Sequence, residues 1–296
     1  MPPVPAAAGA SSRVRRLLDL TIVRMVLALS ATALAGGLVR AGVGVLAQRR
    51  GWADACGALA ALAAYAFYVR LVERRPVFEL GGRGALAEIA AGLAGGAALA
   101  GAVVGGLALV SIYRIDGANA AGAGLVTGFA QTLFVGVFEE LLMRAVLFRL
   151  LERALGSWAA LVISAALFGL AHLPCSGVGT LAVATAIAAG AFLGAAWLAT
   201  RRLWLCAALH VGWNFTLGQV FPVAVPGHER TVGLVEGHLQ GPDWLTGGAC
   251  GLEASAIALA VLAAAFGWLL SHAMARRRLV AWGARRAGAT RLAAVR

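Results

Sequence analysis

Apolar runs long enough to cross a bilayer follow one another through almost the entire chain, and arginines sit between them. A helix needs roughly 20 residues to traverse the hydrocarbon. By that measure the sequence holds eight spans, at about 20–47, 52–72, 85–112, 121–150, 157–173, 179–200, 203–220 and 249–272. Several exceed the minimum, so tilt or extension beyond the bilayer is expected. The fifth is short, and Pro174 closes it because a residue preceding proline avoids helical geometry. The chain is 61% hydrophobic and 13% charged, against about half and about a quarter in soluble domains. The expected fold is therefore all-α: a polytopic transmembrane helical bundle, with Gly- and Ala-rich faces suited to close packing in lipid.

Charge placement gives this bundle sides. The net charge is +12, and all 25 basic residues are arginine. Arg13, Arg15 and Arg16 precede the first span, and Arg70, Arg74, Arg75 and Arg83 separate the second and third. Arg149 and Arg153 lie between the fourth and fifth, Arg201 and Arg202 between the sixth and seventh, and Arg276 to Arg278 open a basic tail. With eight spans all of these share one side, which the positive-inside pattern makes cytoplasmic along with both termini. Arg49 and Arg50 break the pattern. The expected organisation is a disordered cytoplasmic segment 1–19, a membrane domain 20–272 and an Arg-rich cytoplasmic tail 273–296 that engages membrane lipids. Ala31-Thr32-Ala33 resembles a signal-peptide cleavage site, but the apolar run continues past it, so a retained span is expected. No soluble basic module remains for nucleic acid. Cys56, Cys175, Cys206 and Cys250 form no C-x-x-C and read as small apolar residues, not a disulfide framework or a metal site. The Ala, Gly and Arg bias without lysine suggests a bacterial source.

Ionisable residues inside a span are costly and mark function. Glu139, Glu140 and Arg144 lie in the fourth span, His172 ends the fifth, and His210 and Asn214 lie in the seventh. Successive helical residues point about 100° apart. Glu140 and Arg144, four residues apart, pair along one face, while Glu139 on a neighbouring face has no local partner. Glu139 stands about 14 residues, roughly 21 Å, from Arg153. His172 is about 15 residues from Ser157 across the same turn, and Asn214 about 12 from Arg202. These groups can converge at one depth. The set offers a general base, imidazoles and an amide donor, as amide hydrolysis requires. The same groups could form a His/His/Glu zinc site with an open position, although no H-E-x-x-H is present.

Glu139-Glu140…Arg144, Phe168…His172 and His210…Asn214, in this order on successive spans, resemble the three motifs of the CAAX-protease and bacteriocin-processing family, also called the Abi family. All three match, and the likeness covers about 125–220. Arg75-Pro76-Val77-Phe78-Glu79 resembles a stretch often found upstream in that family. The resemblance implies an eight-helix membrane endopeptidase with a glutamate-activated water and no required cofactor. It implies Glu139 as general base, His172 as its partner in holding water, and His210 with Asn214 as the oxyanion site. Glu140 belongs to the same set, and Arg144 and Phe168 support it. Substrates would be membrane-associated peptides or proteins, CAAX-like and lipidated or bacteriocin-like. Two other functions compete. A proton-coupled transporter would show inverted repeats and discontinuous spans, and neither is evident. A non-catalytic scaffold or immunity protein would retain the motifs for packing.

Overall fold

The computed structural model describes residues 20–47, 50–120, 123–173, 179–223 and 233–282. Segment 1–19, Arg49, Pro174, Cys175, His228 and the tail beyond 282 lie outside the described residues. Helices occupy the apolar runs: α1 (Thr21–Ala47), α2 (Arg50–Leu71), α3 (Ala85–Leu109), α4 (Ala123–Glu140), α5 (Arg149–Leu155), α6 (Ser157–Ala171), α7 (Thr180–Thr200) and α8 (Leu203–Phe215). A single turn, α9 (Asp243–Thr246), precedes α10 (Ala256–Ala275). A π-helical stretch, Leu141–Phe148, joins α4 to α5 in one rod, and a second, Thr216–Val220, prolongs α8. The protein is thus a helical membrane bundle, in which α1, α2, α3, α7 and α10 are each long and apolar enough to cross a bilayer. The α4 rod carries three charges at its centre, and α6 has only 15 residues, roughly 22 Å.

One element departs from the all-helical expectation. β1 (Tyr113–Ala118) pairs antiparallel with β2 (Val235–Leu239), Tyr113 opposite Leu239 and Ala118 opposite Val235. β2 lies between the end of α8 and α9. The sheet caps one end of the bundle, and the Leu234 amide donates to the Gln219 carbonyl at the end of α8. His238 meets Asp116 across the strands at 2.6 Å.

Small residues set the closest helix approach. A Cβ at Gly96 of α3 would lie 2.2 Å from the Leu209 carbonyl oxygen of α8. One at Gly212 of α8 would lie 2.4 Å from the Leu93 carbonyl oxygen. Only glycine admits this contact between backbones, and it fixes the rotation of α8, hence of His210 and Asn214.

The arginine-bearing turns gather at one end of the bundle and are cross-linked there. Arg149 donates to the two carboxylate oxygens of Glu73 at 2.8 and 2.6 Å, and Arg75 bridges Glu73 at 2.6 Å and Glu79 at 2.8 Å. Arg202 donates to Glu88 at 3.0 Å, giving that acid of α3 a partner no sequence pattern offered. Arg201 pairs with Glu152 and donates to the Arg278 carbonyl, and the Ser157 amide donates to the Val280 carbonyl at 2.9 Å. The turns between α2 and α3, α5 and α6, and α7 and α8 therefore meet the segment after α10. Burial by itself would raise the Glu73 carboxyl. The hydrogen bonds and charge of Arg149, then those of Arg75, outweigh it and hold the group below its ordinary value.

Candidate active site

The centre of the α4 rod is built around an ion pair without solvent contact. Arg144 and Glu140 are both fully buried, and Arg144 Nη1 donates to Glu140 Oε1 at 2.7 Å. Arg144 Nη2 donates to the Gly190 carbonyl of α7 at 2.8 Å, and its guanidinium lies 4.9 Å from the centre of the Phe168 ring on α6. A buried charge needs this degree of satisfaction. A π-helical stretch begins one residue after Glu140 and contains Arg144. Single-turn π insertions rotate the downstream part of a helix relative to the upstream part, and they recur at functional sites.

Glu140 also holds a histidine. His210 Nδ1 is 3.0 Å from Glu140 Oε1. A carboxylate ion-paired to arginine accepts hydrogen bonds and donates none, so the His210 Nδ1–H is the donor, leaving Nε2 as the second functional atom of the ring. His172 is fixed differently. α6 ends at Ala171, the His172 amide turns to the Gly169 carbonyl, and the Phe168 carbonyl is left for the ring: His172 Nδ1 donates to it at 2.8 Å. In a neutral ring with Nδ1 donating, Nε2 accepts. Phe168 separates these groups, its ring 4.6 Å from that of His172 and 6.0 Å from that of His210.

A cavity of about 370 Å³ opens beside this assembly. Glu139, Phe168, His172, His210 and Asn214 all line it, whereas Glu140 and Arg144 stand behind the wall. Glu139, half-buried, faces the cavity and not the ion pair. The depth argument from helix lengths thus agrees with where these side chains lie. Apolar side chains of α7, α8 and α10, among them Val183, Phe192, Leu193, Leu209 and Leu262, form much of the remaining wall. Among the described residues, no three His, Cys, Asp or Glu side chains are grouped as metal ligands would be.

Sequence reasoning passed over Glu253, which lines the cavity together with Cys250. Glu253 sits in a single 3-10 turn, Leu252–Ala254, just before α10, which begins where the Ser255 side chain accepts the Ala258 amide at 3.1 Å. The signal was available: an acid inside the apolar run 249–272, subject to the same cost that drew attention to Glu139. Cys206, by contrast, is a fully buried packing residue, as expected.

Neither the curated proteins nor the solved structures that were compared contain a match to this chain. One family model does match. Residues 120–216 fit the model described as type II CAAX prenyl endopeptidase Rce1-like, a stretch that runs from the start of α4 to the end of α8 and contains every residue of the three motifs. Through this segment, about a third of its length, the chain is similar to that family.

Proposed function

We propose that the protein is an intramembrane endopeptidase that hydrolyses peptide bonds of membrane-associated substrates with a water activated by Glu139, without a metal. The observation that carries this reading is one wall bearing a carboxylate without a structural duty, Glu139, beside two imidazoles and an amide. The type of family whose model matches supports it.

In this mechanism a water bridges Glu139 and His172. It donates one proton toward the carboxylate and the other toward His172 Nε2, the acceptor left by the bond to the Phe168 carbonyl. Glu139 takes the proton as the oxygen attacks the substrate carbonyl and later passes it to the departing amine. Negative charge develops on the carbonyl oxygen, where preorganised donors act most strongly. Asn214 supplies an amide N–H. His210 supplies Nε2–H in its imidazolium form, whose counter-ion is Glu140, itself held by Arg144. Glu140 is therefore a positioning residue in this scheme, and Phe168 shapes the cavity. The arginine-bearing end of the bundle faces the cytoplasm, with both termini on that side.

The test is direct. Purified protein is reconstituted with membrane-tethered peptides, one set ending in a prenylated CAAX sequence and one with internal sites, and products are identified by mass spectrometry. Cleavage in a chelator, lost in Glu139→Ala, is expected. Intact peptides in both sets, under conditions where the protein remains folded, would end the endopeptidase reading.

A further inference from the structure

A second carboxylate, outside the family motifs, lines the same cavity as Glu139. Glu253 is exposed, and it lines the cavity. It makes no hydrogen bond or ion pair with any described residue. It lies within electrostatic range of His210, His172 and Glu139. It is carried on the turn before α10, outside the 120–216 stretch that holds the motifs. A cavity-lining carboxylate without a partner in the protein is free to make a charge-assisted hydrogen bond with a cationic group on a bound ligand.

Resting on the endopeptidase reading, we infer that Glu253 is a specificity-determining residue, and that it selects substrates presenting an arginine or lysine side chain close to the scissile bond. The cavity supplies the complementary half of this preference. Val183, Phe192, Leu193, Leu209 and Leu262 accept an apolar side chain, and the basic side chain extends from the neighbouring backbone toward Glu253. Glu139 and Glu253 line one cavity, which puts that basic residue near the bond that Glu139 addresses. A free C-terminal carboxylate at the same place meets two acids and is disfavoured. The preferred substrate is then a basic-apolar segment cleaved internally. A prenylated chain end whose carboxylate lies beside the site is a poor one.

The experiment uses the full chain in proteoliposomes and tethered peptides that differ at one position only: Arg, Gln or Glu, placed in turn at each of the three positions on either side of the scissile bond. Two readouts are taken. The first is kcat/KM for wild type, Glu253→Gln and Glu253→Arg. The second is photo-cross-linking of the same peptides to Glu139→Gln, which reports binding without turnover. At one position wild type should favour Arg over Glu by roughly tenfold. The ratio should fall toward one in Glu253→Gln and invert in Glu253→Arg. Cross-linking to Glu139→Gln should keep the preference, and Glu139→Gln/Glu253→Gln should lose it. A ratio unchanged in Glu253→Gln, or no charge preference in either readout, overturns the assignment. Charge-dependent cross-linking that needs Glu253, in a protein that cleaves nothing, would sink the endopeptidase reading while leaving the Glu253 assignment standing.

Discussion

Replacing Arg144 by methionine should be among the most damaging single changes in this protein, and the structure says by how much. The guanidinium is fully buried, donates to Glu140 at 2.7 Å and to the Gly190 carbonyl at 2.8 Å, and stacks on Phe168. Methionine fills part of the volume but leaves the buried Glu140 carboxylate with His210 as its remaining partner and strips the Gly190 carbonyl. Breaking one side of a buried ion pair costs about 3–5 kcal/mol. Removing both charges in Glu140→Gln/Arg144→Met should return part of that loss, with a coupling energy on the order of 2 kcal/mol. Reversible unfolding in mixed detergent micelles, run on the four proteins of this cycle, measures both quantities. A single-substitution cost below about 1 kcal/mol with additive behaviour in the double variant would show that the pair does not organise the α4–α6–α7 junction.

Other consequences are equally checkable. Gly96→Ala puts a Cβ against a backbone carbonyl of α8 and should cost about 1–3 kcal/mol, so a variant with a wild-type melting temperature would contradict the close α3–α8 approach. Glu73 has a folded-state pKa below its ordinary 4.5, so its ion pairs contribute fully above that value and are lost as pH falls through the folded pKa. Unfolding measured from pH 7 to pH 3 should show wild type losing stability more steeply than Glu73→Gln, and parallel curves would remove Glu73 from the explanation. Prolonged dialysis against a strong chelator should leave peptide cleavage unchanged, whereas loss that is restored by zinc would require a metal among the cavity residues.

Helix positions were legible in the sequence because the relevant signal is local. Each apolar run between arginine clusters is long enough to require a helix in lipid, and α1, α2, α3, α7 and α10 begin and end within a few residues of those runs, save for α10, whose run starts earlier. The gathering of the arginine-bearing turns at one end was legible for a related reason. Arginine placement followed an electrostatic rule, and the same arginines, Arg75, Arg149, Arg201 and Arg202, now bind acids from neighbouring turns at one end of the bundle. Glu139, His172, His210 and Asn214 could be brought together by counting residues along rods of known rise. What failed was whatever depends on partners distant in the chain. The β1–β2 pairing joins residues more than a hundred positions apart through short, weakly patterned segments. The π-helical stretches leave no periodicity distinct from an α-helix over so few residues. Glu253 was missed because the apolar run around it was read as a uniform span, when the chain turns at Gly251 with positive φ and starts its helix only after Ser255.

The division of labour between two adjacent acids is the central claim, and single-turnover hydrolysis of a tethered peptide, measured beside thermal unfolding for Glu139→Gln and Glu140→Gln, tests it most directly. Glu139→Gln should unfold like wild type and lose roughly 10²–10⁴ in rate, while Glu140→Gln should lose stability through Arg144. A Glu139→Gln protein that cleaves within a few-fold of the wild-type rate would contradict the account.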